Sequence, residues 1–117
     1  MALTDFGRAV RIARLTTDET LLSMSDALGC TPSFLSAIET GKKKVPMSLV
    51  ESIESFFKKK NYLFPQNLRD LAAVSNKEVS VEGLSLQQQM LVAGFARSPM
   101  NAEQLERLAE LLGVGKK

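Results

Sequence analysis

A chain of 117 residues has room for one domain of ordinary size, or for a small domain of about 65 residues with a short appendage. Its 44% apolar and 24% charged residues suit a globular protein with a buried core, and no run approaches the roughly 18 apolar residues that span a bilayer. Histidine is absent and Cys30 is the single cysteine. An intramolecular disulfide is therefore excluded, and neither an enzyme, a metal site nor a cofactor is expected.

Met1-Ala2-Leu3-Thr4-Asp5 carries neither a basic segment nor an apolar stretch of the kind that directs export, so a cytoplasmic location without membrane association is expected. The net charge of +2 is small, but it is unevenly placed. Residues 1–64 hold nine Lys and Arg against seven Asp and Glu, whereas 65–117 hold six of each. The excess includes the triplets Lys42-Lys43-Lys44 and Lys58-Lys59-Lys60, and such runs are ordinarily solvated surface.

From Thr4, the apolar residues Phe6, Ala9, Val10 and Ala13 repeat at i, i+3, i+4 and i+7, which predicts a first helix reaching about Leu15. Thr20 as N-cap, then Leu21, Met24, Ser25 and Leu28 on one face and a left-handed stop at Gly29, predict a second helix of two turns. Thr31-Pro32 pairs an N-cap residue with a proline at the first helical position, where its missing N–H is harmless. The third helix starts there and ends at Gly41, with Leu35 and Ile38 on one side and Ser33, Ser36, Ala37 and Thr40 on the other. A loop through Lys42–Lys44 and Val45-Pro46 leads to a fourth helix carrying Leu49, Val50, Ile53, Phe56 and Phe57. Phe64-Pro65 opens a shorter fifth helix with Leu68, Leu71 and Ala72, complete by about Val74.

Residues 75–84 read as a linker in which Val79-Ser80-Val81 alternates like one short strand. Ser85 with Gln88, and Asn101 with Gln104, are capping-box pairs that begin two further helices, divided by Ser98-Pro99 and ended by Gly113. Residues 114–117 are left as a tail. The fold class is thus all-α, with a domain at 1–74, a linker at 75–84 and a helical region at 85–113.

The segment from Leu21 to Gly41 places two short helices and a tight turn within about twenty residues, the spacing of a helix-turn-helix. In that motif the second helix enters the major groove, about 12 Å wide, while the first crosses the backbone. Small residues are needed where the helices cross, and Ser25 and Gly29 are placed to supply them.

From Phe6 to Phe64 the chain resembles the lambda-repressor-like family, also called the Cro-repressor or XRE family. The likeness is most specific from Thr31 to Pro46, which reads as a recognition helix followed by a Gly-basic-basic-Pro loop. The resemblance implies a five-helix domain and double-stranded DNA as the partner. It also implies an ion pair between Arg14 and Glu39 that ties the first helix to the recognition helix. Base-reading positions fall on Pro32, Ser33 and Ala37, with Ser36 and Thr40 nearby. Pro32 and Ala37 lack hydrogen-bonding groups, so readout leans on Ser33 and on contact with thymine methyl groups. Leu21 stands where relatives commonly carry a phosphate-binding glutamine, which leaves Thr20 as its nearest substitute. Thr31 is the recognition-helix cap, and phosphate contact is expected of Lys42, Lys43 and Lys44.

Helix-turn-helix proteins of this kind bind pseudo-palindromic sites as dimers, so residues 76–113, rich in leucine and methionine, are expected to form a homodimer. The resulting expectation is a dimeric transcriptional repressor of bacterial, phage or mobile-element origin. The competing reading is an antitoxin whose C-terminal helices hold a toxin as protein partner. Cys30 is expected to be a small apolar turn residue.

Overall fold

A computed structural model describes residues 2–114, and every regular element in it is a helix. The helices are α1 (Asp5–Thr16), α2 (Leu21–Leu28), α3 (Pro32–Glu39), α4 (Met47–Lys58), α5 (Leu68–Asn76), α6 (Leu86–Arg97) and α7 (Ala102–Leu112). The chain divides into two compact units, 1–79 and 80–117, each considered by itself. Of the tail expected at 114–117, only Val114 falls within the described residues.

In the first unit the caps lie where side-chain chemistry favours them. The hydroxyl oxygens of Thr4, Thr20 and Thr31 accept from the N–H groups of Gly7, Ser23 and Phe34, each satisfying a donor that the first helical turn leaves unpaired. At α2 the cap is reciprocal, because the Thr20 N–H donates to Ser23 Oγ at 3.0 Å. Gly29, at φ +75°, ends α2 in the left-handed conformation.

The apolar stripes meet in one core of Phe6, Val10 and Ala13 from α1, Met24 from α2, Leu35 and Ile38 from α3, Val50, Ile53 and Phe57 from α4, and Leu68 and Ala72 from α5. Helix α1 packs on α3 and α5, α2 on α3 and α4, and α4 on α5. Phe57 is ringed by Phe56, Tyr62 and Phe64 in edge-to-face contacts, with ring centroids 4.9, 5.9 and 5.5 Å away. The Lys60 ammonium lies 4.8 Å from the centre of the Phe56 ring and 2.8 Å from a Glu19 carboxylate oxygen. That contact, together with the Ser23 hydroxyl, holds the Glu19 carboxyl below its ordinary pKa. The second lysine triplet thus gives α4 a hold on the turn that precedes α2.

Three expectations need correction. Helix α5 begins at Leu68, not at Pro65, because the Asn67 side chain supplies the cap by accepting from the Asp70 N–H at 3.0 Å. Phe64 and Pro65 stay outside the helix, and Phe64 covers the Phe57 ring. The helix runs to Asn76 and its unit to Val79, so Ser75 and Asn76 belong to the fold and not to a linker. Val79-Ser80-Val81 forms no strand, and no residue among those described pairs in a sheet ladder.

In the second unit, the capping boxes at Ser85 and Asn101 both form, and Gly113 at φ +73° ends α7. Neither helix buries a single residue. Leu86, Met90, Leu91, Phe95, Leu105, Leu111 and Leu112 all stand exposed.

Candidate nucleic-acid interface

Helix α3 has eight residues, about 12 Å of axial length at 1.5 Å per residue. Its inner side is pinned by the fully buried Leu35 and Ile38. Its outer side carries Pro32, Ser33 and Ser36 exposed, with Ala37 and Thr40 half-buried. Together with Leu21 at the start of α2 and Lys42 beyond α3, these residues line an open groove of about 390 Å³.

The groove separates residues that the sequence had grouped. Five of the expected contact positions, Pro32, Ser33, Ser36, Ala37 and Thr40, share it with Lys42. Thr20 and Thr31 do not line it, and their hydroxyl oxygens serve as helix caps. The Thr40 hydroxyl donates to the Ser36 carbonyl at 3.0 Å. Among the described residues, the Ser33 and Ser36 hydroxyls have no intramolecular partner, so they are free to bond a ligand. Lys42 and Lys43 are exposed without an ion-pair partner among the described residues, whereas Lys44 is drawn to Glu78, Nζ to carboxylate oxygen 2.6 Å.

Glu39 is the only acidic residue of α3, and the structure turns it inward. Arg14 grips it with two hydrogen bonds, one from Nη1 to Oε2 and one from Nη2 to Oε1 at 3.1 Å. The two side chains are only 9% and 5% exposed. The pair thereby removes a carboxylate from the groove, which is lined by no acidic residue and by the cation Lys42. A polyanion meeting this face encounters hydroxyls, methyl groups and positive charge.

Two residues that position α3 were not singled out from the sequence. The Thr4 N–H and hydroxyl both donate to the Glu39 carbonyl, each at 3.1 Å. Gly7 lies so close that a Cβ built on it would sit 2.0 Å from the same carbonyl oxygen. A glycine in the first turns of an otherwise regular amphipathic helix was the available signal, since it weakens the helix by roughly 0.5–1 kcal/mol relative to alanine unless close packing requires it. Gly29, by contrast, was read both as the left-handed stop of α2, which it is, and as a crossing residue, yet a Cβ there would meet nothing within 4 Å. Its role is the left-handed stop, and the small residue buried in α2 is Ser25, whose hydroxyl donates to the Leu22 carbonyl at 2.9 Å.

Cys30 is half-buried, and burial pushes its thiol pKa up, which keeps it protonated and poorly nucleophilic. Among the described residues, no three His, Cys, Asp or Glu side chains are grouped to hold a metal ion, and no helix is long and apolar enough to cross a membrane.

Comparison with family models, curated proteins and solved structures returns no match.

Proposed function

We propose that this chain is a sequence-specific DNA-binding transcriptional regulator with a lambda-repressor-like five-helix domain, acting as a dimeric repressor on a pseudo-palindromic operator. The observation that carries the reading is the outer face of α3. It combines two uncommitted hydroxyls, small apolar groups and Lys42, and its one carboxylate is buried against Arg14. Ser33 and Ser36 can bond base edges, while Pro32 and Ala37 suit thymine methyl groups. Lys42 and Lys43, one turn beyond, are placed for phosphates.

Selection from a randomised duplex library, followed by fluorescence anisotropy at several salt concentrations, tests this. Affinity is expected to fall steeply with salt as condensed counterions are released. Ser33→Ala is expected to cost about 1–3 kcal/mol on the selected site and little on random duplex. Absence of any enriched sequence together with salt-independent binding rules the reading out.

The second unit is proposed to supply the dimer, because its two helices leave apolar side chains exposed that isolated helices do not hide. Truncation after Val79 is expected to leave the first unit folded and monomeric, with operator affinity reduced roughly 100-fold by loss of the linked second half-site. Sedimentation of both proteins reads the first effect, and binding to full and half operators reads the second. A truncated chain that still dimerises would put the interface in the first unit.

A further inference from the structure

The loop that follows α3 is fastened by a residue outside the groove. Val45 is 2% exposed, and both of its backbone polar groups are taken by one side chain. Its N–H donates to Asn76 Oδ1 at 2.6 Å, and Asn76 Nδ2 donates to its carbonyl at 2.9 Å. A single amide thus does what a neighbouring strand would do, across a sequence separation of 31 residues.

The start of the same loop is held independently, by the Lys42 and Lys43 N–H groups donating to the Ala37 carbonyl at 2.9 and 3.2 Å. Asn76 is the last residue of α5, and Lys77 follows in the left-handed conformation at φ +58°. That reversal brings Glu78 back to Lys44. The end of α5 therefore holds the far end of the loop through Asn76, and the residues just after it engage one of its three cations through Glu78.

We propose that Asn76 is a positioning residue for the lysine loop, and that Glu78 withholds Lys44 from DNA, so that the end of α5 sets DNA affinity without entering the groove. The inference rests on the DNA-binding reading above. A loop anchored at both ends presents its lysines already ordered, whereas a loop held only at its Ala37 end must be ordered over the rest of its length when it binds, at a cost in affinity. Glu78 acts in the opposite sense, by neutralising a cation that would otherwise displace a counterion from a phosphate.

The test compares the full chain with Asn76→Ala, Asn76→Ser and Glu78→Gln. It uses anisotropy with the selected duplex and with a random duplex, and amide hydrogen exchange of the free proteins. Asn76→Ala is expected to weaken binding to both duplexes roughly tenfold. It is also expected to speed exchange at Val45, whose N–H loses its acceptor, while Lys42, Lys43 and the core of the first unit keep their protection. Asn76→Ser, whose hydroxyl is too short to bridge both Val45 groups, is expected to show the same pattern and decides the matter if the alanine variant does not fold. Glu78→Gln lies on the surface and is expected to tighten binding about threefold and steepen the salt slope by about one.

Wild-type affinity in both Asn76 variants, or unchanged exchange at Val45, overturns the positioning role. An unchanged slope in Glu78→Gln overturns the role of Glu78. If the wild-type chain binds no duplex DNA, the functional reading falls and this inference with it. Wild-type binding that the variants do not alter removes the inference alone.

Discussion

Gly7→Ala is expected to destabilise the first unit by about 3 kcal/mol or more, a large share of the typical domain stability of about 5–15 kcal/mol. The added methyl group would lie 2.0 Å from the Glu39 carbonyl oxygen and 2.8 Å from its carbon, both backbone atoms that cannot rotate aside. Relief requires α1 to move away from the end of α3. That movement stretches the two Thr4 bonds to the same carbonyl and disturbs the Arg14–Glu39 pair two turns further along α1. Urea unfolding followed by circular dichroism measures the loss. Gly94, also within a helix but with nothing within 4 Å of its would-be Cβ, is the matched control. There alanine is expected to favour the helix by roughly 0.5–1 kcal/mol. Equal effects at the two positions would show that α1 does not approach α3 as described.

The second large effect is expected from Glu39→Ala, at about 3–5 kcal/mol, because it leaves the Arg14 guanidinium buried without a counter-charge. A nearby Met24 sulfur, 3.6 Å from Nη1, is too weak an acceptor to compensate. The expected loss belongs to the stranded charge and not to any net worth of the pair. Replacing both partners with apolar residues, Arg14→Met with Glu39→Leu, should therefore restore much of the stability. Thermal melts of Arg14→Met, Glu39→Leu and the double variant complete a double-mutant cycle. Additive losses, or a Glu39→Ala cost below about 1 kcal/mol, would indicate a pair screened by solvent. The consequence for the α3 face is separate from stability, since the double variant also lacks the carboxylate. Its groove should stay free of negative charge.

Much of the first unit was legible because its signals are local. Thr20 and Thr31 can each reach an N–H three residues ahead whatever the rest of the chain does, and Gly29 takes φ +75° without the steric cost that other residues bear. The stripes Phe6-Ala9-Val10-Ala13 and Leu49-Val50-Ile53-Phe56-Phe57 follow from helical periodicity alone; six of these residues are fully buried, and Ala9, Leu49 and Phe56 are partly buried against the core. Where the local signal was ambiguous, the expectation slipped. Pro65 and Asn67 are both plausible starts for α5, and the demand of the Phe57 ring for cover kept Phe64 and Pro65 out of the helix. Val45 was assigned to a loop by its neighbours Lys44 and Pro46, yet it is part of the core.

The candidate face shows the same division. That Ser33, Ser36, Ala37 and Thr40 lie opposite Leu35 and Ile38 is a matter of 3.6 residues per turn, and the amino-acid sequence by itself determined it. It likewise determined the order of the seven helices among the described residues and most of their caps, because each depends on atoms no more than a few residues apart. Only the tertiary structure decided which cations remain free, how closely α1 approaches α3, and what anchors the lysine loop. Lys44 is engaged by Glu78, 34 residues away, Val45 by Asn76, 31 residues away, and Gly7 meets the Glu39 carbonyl from another helix. Such contacts form only when folding brings distant backbone into register, and no local propensity or periodicity encodes them.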